Sequence, residues 1–402
     1  MPRNQRAPRR ALFAALAVLG GCALALAGVE AVLRVFSVSF PFFWRSHPVL
    51  GTCLVPGMSG WQMDEGRAFV RINDAGFRDR DYPPVKPAGA LRVLVLGDSF
   101  TEALQVPLEE TFVKVAEREL SACASLRGRT VEVMNWGCRS YGTIHEVMLL
   151  ALRGWAYDPD MVVIAVYPEN DLEENLAAFS TLPGDPLLAY RDGRLEWTPA
   201  LTGARSRLAE LPAAAEGAGW RSLRLVQLVA QARRSWTKRP PWGRGDANDP
   251  SRGDYSSRKV YAEPRDARWR RSWALFEDLL GLARRDAAAR GVALLAVAVT
   301  SNGQVHPDPG FQAKYGRIWG VSDFLYPNRR LSEIGRRSGL EVLDLVPSLS
   351  AYASRRREAV HGFPNTEPGM GHWNAVGHRL AGEALAAKIC AMASKPASGA
   401  KR

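Results

Sequence analysis

Hydrophobic and polar positions divide this chain into three regimes. From Ala11 to Val29, 19 consecutive residues carry no charge and are mostly apolar, enough to cross a bilayer core as a helix rising about 1.5 Å per residue. Residues 37–90 hold no sustained period. They are rich in Pro, Gly and aromatic side chains, and Asn73-Asp74-Ala75-Gly76-Phe77-Arg78 reads as a turn-forming lead-in. At Leu91 a regular alternation of short apolar runs and helical periods begins.

Its first element, Leu91 to Leu96, is a continuous apolar run closed by Gly-Asp-Ser, the pattern of a strand buried on both faces of a parallel sheet. Pro107 opens a helical period with Leu108, Phe112, Val115 and Leu120 on one face. Val131 to Asn135 is a second strand, Ile144 to Trp155 a helix, and Met161 to Val166 a third strand. Residues 172–265 interrupt the rhythm with a hairpin expected over Leu187 to Trp197, about an Asp192-Gly193 turn, and an amphipathic stretch from Trp220 to Arg233. We read this region as an insertion that shapes substrate access. The alternation resumes with a helix from Trp273 to Arg290, the run Val292 to Val299, a helix near Leu331 to Ser338, the strand Leu340 to Leu345 and a last helix after Asn374.

Five apolar strands separated by helices predict a doubly wound, flavodoxin-like α/β fold with a five-stranded parallel sheet and right-handed crossovers. Functional loops are expected at the carboxyl ends of the strands. The organisation is then a basic tail and anchor (1–36), a lead-in (37–90) and one α/β domain (91–393) carrying the insertion.

Composition supports a packed core, with 47% hydrophobic and 23% charged residues in 402. The net charge of +12 comes partly from the chain ends, at Arg3, Arg6, Arg9, Arg10, Lys395, Lys401 and Arg402. The run Arg233 to Gly245 mixes basic residues with Trp236 and Trp242, but its Pro-Pro and Gly favour a solvated loop, and no nucleic-acid partner is expected.

Four arginines precede the apolar N-terminal run. Positive charge holds such a tail in the cytoplasm, which places everything after Val29 outside, in the periplasm of a cell with an inner membrane. A cleaved signal peptide usually has a shorter apolar region that ends at a small-residue site. No such site follows Gly28, so an uncleaved single-pass anchor is expected. Leu19-Gly20-Gly21-Cys22 also resembles a lipoprotein cleavage box, which would acylate Cys22. Outside the span, Cys53, Cys123, Cys138 and Cys390 allow at most two disulfides, and spacing does not pair them.

Ser99 stands two residues beyond the glycine that closes the first strand, where an α/β sheet presents groups to ligands. A serine hydroxyl needs a base to become a nucleophile, and imidazole has a suitable pKa. Of six histidines, His372 is the best placed, just before the final helix in Gly371-His372-Trp373-Asn374-Ala375-Val376-Gly377-His378. His372 and His378 are six apart rather than the four that would put two ligands on one helical face, and no metal or other cofactor is expected.

At these residues the chain resembles the SGNH, or GDSL-type, hydrolases, and among them the membrane-anchored bacterial branch. Gly97-Asp98-Ser99-Phe100-Thr101 matches the first block of that family, Asn135-Trp136-Gly137 the second, Glu169-Asn170-Asp171 the third, and His372 with Asn374 and Gly377 the fifth. The resemblance implies Ser99 as nucleophile, His372 as base, and an oxyanion hole made by the Ser99 N–H, the Gly137 N–H and the Asn170 side chain. Such donors are each worth roughly 3–4 kcal/mol of barrier. It further implies an ester substrate, with acetyl groups of cell-surface polysaccharide as the leading class and either esterase or O-acyltransferase chemistry. Oligomeric state stays open.

The chain departs from that pattern twice. The family usually places an Asp two or three residues before the histidine, whereas Met370 and Gly369 stand here. Glu367 is one candidate orienting acid; a backbone carbonyl or a Ser-His dyad are the others. A glycan-binding or scaffold protein on a degenerate hydrolase fold is the non-enzymatic alternative. Pro168 also replaces a frequent glycine two residues before Asn170.

Overall fold

The computed structural model describes residues 6–180, 186–204, 222–237 and 255–394. Helix α1 (Arg6–Val35) includes a stretch, Arg10–Val35, long and apolar enough to cross a membrane, with none of its most apolar window buried against the rest of the protein.

Residues 37–90 are more ordered than their composition suggests. Strands β1 (Trp44–His47) and β2 (Gly51–Leu54) form one antiparallel hairpin, and β3 (Ser59–Gln62) and β4 (Ala68–Arg71) form another. Phe43, Leu54, Val70, Ile72 and Leu104 give them a small core of their own. The Asn73 turn is real: Asn73 Oδ1 accepts the Phe77 N–H at 2.8 Å. It delivers Arg78 to the carbonyls of Ala103 and Val106, and Asp79 to Lys114 Nζ at 2.8 Å and to the Asn135 N–H at 2.7 Å. Farther on, fully buried Arg92 donates to the carbonyls of Pro83 and Pro84 and pairs with Glu132 at 2.7 Å, tying the lead-in to the sheet.

The sheet follows in β5 (Leu91–Gly97), β6 (Val131–Gly137), β7 (Met161–Val166), β10 (Ala293–Ala298) and β11 (Glu341–Asp344). All pairings are parallel, in the spatial order β11-β10-β7-β5-β6. That is the expected five-stranded flavodoxin-like order, with its switch point beside β5. Side chains alternate across β5. Leu94 and Leu96 enter a core shared with α4 (Thr143–Leu152), α7 (Ala267–Ala288) and α10 (Tyr326–Ser338). Val93 and Val95 enter the opposite core, shared with α3 (Phe112–Ser121), α11 (Val346–Arg356) and α12 (Ala375–Ala393). Burial on both faces explains why the strands read as unbroken apolar runs.

In register, Gly97 lies opposite Gly137 on one side and Ala165 on the other. The loops after β5, β6 and β7 therefore emerge side by side. Asn374 caps α12 through its side chain, accepting from the N–H groups of Val376 and Gly377 at 3.0 and 3.1 Å. The Cys123–Cys390 disulfide joins the end of the α3 region to α12.

Several element boundaries differ from the sequence reading: the helix expected from Pro107 begins at Phe112, and the one expected from Trp273 begins at Ala267. Asn170 belongs to a helix, α5 (Pro168–Ser180), which runs past Leu172 before the alternation breaks. The run Arg233 to Gly245 begins as helix, because Arg233 to Thr237 complete α6 (Arg224–Thr237); residues 238–245 lie outside the described residues. The hairpin about Asp192-Gly193 is present as β8 (Leu188–Arg191) and β9 (Arg194–Trp197), with φ of 49° and 74° at the two turn residues. Short helices α8 (Asn302–Val305) and α9 (Phe311–Trp319) follow β10.

Candidate active site

Ser99 opens α2 (Ser99–Glu102), a single turn set on the end of β5. Asp98 caps it, its carboxylate accepting the Phe100 N–H at 2.9 Å. The turn presses on β6 so closely that a Cβ at Gly137 would lie 2.3 Å from the Glu102 nitrogen, which accounts for glycine there. The N–H of Ser99, in the first turn, has no intrahelical partner to satisfy it.

His372 reaches Ser99 from the loop before α12. Its Nε2 lies 2.8 Å from Ser99 Oγ. The loop is shaped by a bridge between His361 and Trp373 and by His361, whose Nδ1 lies 2.6 Å from the Gly371 carbonyl. Trp373 Nε1 donates to Thr300 Oγ1 at 2.8 Å, and Phe100 packs on the His372 ring with centroids 4.9 Å apart.

Glu367, the acid offered by the sequence, is exposed, and its backbone carbonyl accepts the Met370 N–H at 3.1 Å. Glu65 occupies the orienting position in its place. One of its oxygens lies 2.5 Å from His372 Nδ1 and the other accepts the His372 N–H at 2.8 Å. Glu65 comes from the turn between β3 and β4, 307 residues away in sequence. Asn365 clasps that turn, accepting the Gly66 N–H at 2.9 Å and donating to the carbonyls of Met63 and Gly66. Close approach also requires Gly371, whose φ is +77° and where a Cβ would stand 2.2 Å from Glu65 Oε1.

The polarity of this chain follows from its members. An ionised carboxylate only accepts, so Nδ1 of His372 carries the proton given to Glu65, and Nε2 is left to accept from the Ser99 hydroxyl. Burial lowers the pKa of His372, but the Glu65 hydrogen bond and charge, with further help from Asp98 and Glu102, leave it above the ordinary histidine value. Burial likewise raises Glu65, and its bonds and attraction to His372 outweigh this, holding it below the usual carboxylate range. The arrangement is that of a serine whose proton has somewhere to go.

The other expected residues meet here with distinct roles. Asn170 Nδ2 donates to Asp98 Oδ2 at 3.0 Å. An amide nitrogen carries two hydrogens, so the second remains for a ligand. The Gly137 N–H donates to the Asn135 side-chain oxygen at 2.9 Å; any oxyanion contact there shares that donor. His378 is no part of the chain, being buried in α12 and accepting the Phe112 N–H at 3.3 Å.

Several buried acids lie behind Ser99. Desolvation pushes Asp98 up to about 6 and Glu102 up to about 7, the latter held by Trp44 Nε1 at 2.7 Å. Glu146 and Asp171 are raised well above the carboxylate range, first by burial and then by repulsion from neighbouring acids.

No protein-family model and no curated protein matches the chain. Solved structures resemble it in backbone. An acetyl xylan esterase, AlAXEase, is 11% identical, over 74% of this chain and 100% of its own, at a TM-score of 0.37. A two-domain esterase active on acetylated mannans is 12% identical, over 77% of this chain and 52% of its own, at 0.38. The lipase/acylhydrolase from Enterococcus faecalis is 15% identical, over 75% and 96%, at 0.36. Likeness at this level decides nothing about chemistry, which rests on the site itself.

Proposed function

We propose that this chain is a membrane-anchored serine hydrolase or acyltransferase that cleaves small acyl esters. The observation that carries the reading is the hydrogen-bonded series Ser99–His372–Glu65, with Ser99 Oγ 2.8 Å from the imidazole. Ser99 Oγ attacks the ester carbonyl carbon while its proton passes to His372 Nε2. The resulting oxyanion is met by the Ser99 N–H, the second Asn170 Nδ2 hydrogen and the Gly137 N–H. Collapse expels the alkoxide, which takes the proton from His372, leaving an acyl group on Ser99. A water or a sugar hydroxyl then attacks this ester, with His372 again accepting and returning the proton.

Glu65 holds the ring and stabilises the imidazolium throughout. This weighs against the degenerate-fold alternative, since an acid faces His372 although Gly369 and Met370 stand where the family places its Asp. The Cys123–Cys390 disulfide supports an oxidising, extracytoplasmic setting, because such bonds seldom persist in the cytosol. That setting, and the resemblance to membrane-anchored SGNH enzymes, make acetyl groups on cell-surface polysaccharide the substrate class we favour.

The test is release of acetate from a short acetyl ester and from an acetylated polysaccharide by the full chain in detergent, with and without a saccharide acceptor. Turnover in water assigns an esterase, and turnover that requires the acceptor assigns a transferase. A rate unchanged in Ser99→Ala would refute both.

A further inference from the structure

The apolar run of α1 ends at Val29, and Glu30 is the first acid after it. Glu30 does more than mark the boundary. Its two carboxylate oxygens accept the N–H groups of Arg224 and Leu225, at 3.0 and 2.9 Å, and so cap the first turn of α6. Arg34, bonded to Glu30 at 2.8 Å, also reaches the Ser222 carbonyl at 3.4 Å. One turn along α6, Gln227 Oε1 accepts from Ser39 Oγ and the Phe40 N–H, at 3.0 and 3.1 Å. Helix α6 thus starts beside the last turns of α1, held by Glu30 and Arg34 of that helix and by Ser39 and Phe40 just after it.

Beyond that turn α6 carries an exposed apolar stripe. Val229 is 60% exposed and Trp236 is 92% exposed, two turns apart on one face. Ala232 and Arg233 lie exposed between them, and Leu223 just before the helix is 43% exposed. Val32, Val35 and Phe36 of the span's exit are exposed as well. Tryptophan beside valine on an amphipathic helix is suited to the headgroup layer, where the indole sits between acyl chains and water.

We propose that α6 is a second membrane contact, docking on the outer face of the bilayer that α1 crosses, with Val229 and Trp236 set among the headgroups. The proposal rests on the anchor reading of α1. A single span leaves a domain free to tilt. A helix pinned to the span's exit and seated on the lipid surface fixes the orientation at which the Ser99 cleft is presented.

The full chain is placed in nanodiscs holding one copy each, made of phosphatidylcholine with a minority of phosphatidylglycerol, with and without brominated acyl chains. Subtracting the emission of Trp236→Phe from that of the native chain isolates Trp236. We expect brominated lipid to quench most of the isolated signal, and hydrogen exchange over residues 224–237 to rise several-fold in Val229→Ser/Trp236→Ser. Neither variant touches the catalytic chain, so ester turnover in detergent stays at the native rate. A Trp236 signal untouched by brominated lipid overturns the proposal, as does a stripe shielded only when two copies share a disc. Failure of the chain to enter discs overturns it together with the anchor. Neither the quenching nor the exchange readout depends on hydrolysis.

Discussion

Two loops meet at His372, and they reach it by different routes. The histidine loop belongs to the sheet: it precedes α12, which packs on α3, and Trp373 lies in the core shared by those helices. The Glu65 turn belongs to the lead-in, a pair of hairpins formed before the sheet begins, and it is fastened by Asn365 and by the space Gly371 leaves. The first loop is positioned by the main core. The second depends on a few polar contacts and on the small core around Leu54, Val70 and Ile72. The proposed nucleophile and base are therefore carried by the sheet and its helices, while the carboxylate that meets the proposed base comes from the hairpins before them.

The largest effect should come from the sheet side. Ser99→Ala or His372→Ala should each lower kcat/KM for an acetyl ester by about 10⁴- to 10⁶-fold, the scale on which members of such a unit fail. Melting temperature should stay near that of the native chain, because Ser99 and His372 are only partly buried.

The junction of the two loops is the next place to break. Gly371→Ala introduces a Cβ where Glu65 Oε1 stands and strains a φ of +77°. Displacing the carboxylate while leaving all three functional groups present should cost on the order of 10²-fold in kcat/KM, measured by steady-state kinetics.

The pH profile sharpens the comparison by reading the protonation of the ring itself. His372 acts as base only when neutral, and Glu65 raises its pKa above the ordinary histidine value. Activity in the native chain should therefore rise with pH through a limb above that value. In Glu65→Gln the limb should move to lower pH, while the plateau falls. An acid limb that moves upward or stays fixed would show that Glu65 does not govern the ring.

The smallest effect on rate should come from the disulfide, remote from both loops. Cys123→Ser with Cys390→Ser should leave kcat/KM unchanged and cost about 2–5 kcal/mol of stability, seen as a lower midpoint in chemical denaturation.

The same contrast explains what the sequence made legible. Buried parallel strands write themselves as apolar runs, so Leu91 to Leu96 and Met161 to Val166 were readable, and the blocks at their ends placed Ser99 and Asn170 together. Glu65 left no such mark, because its partner lies 307 residues away and no spacing rule spans that distance. The nearest signal was the Asp64-Glu65-Gly66 turn before the short apolar run Ala68 to Val70, which marks a turn and a strand but no partner for Glu65. In sequence Pro168 marks only a departure from the family block and the alternation is read as breaking at residue 172, so the helix Pro168–Ser180 goes unseen. Proline suits the first turn of a helix, and Leu172 and Asn175 are buried along it.

The central claim is that an acid from the lead-in orients a base in the sheet domain. It is tested most directly by kcat/KM of Glu65→Gln beside Glu367→Gln in the full chain, with thermal melting to confirm that both are folded. We predict a loss of about 10⁴-fold for Glu65→Gln and native turnover for Glu367→Gln. Native turnover in Glu65→Gln, or a comparable loss in Glu367→Gln, would contradict the account.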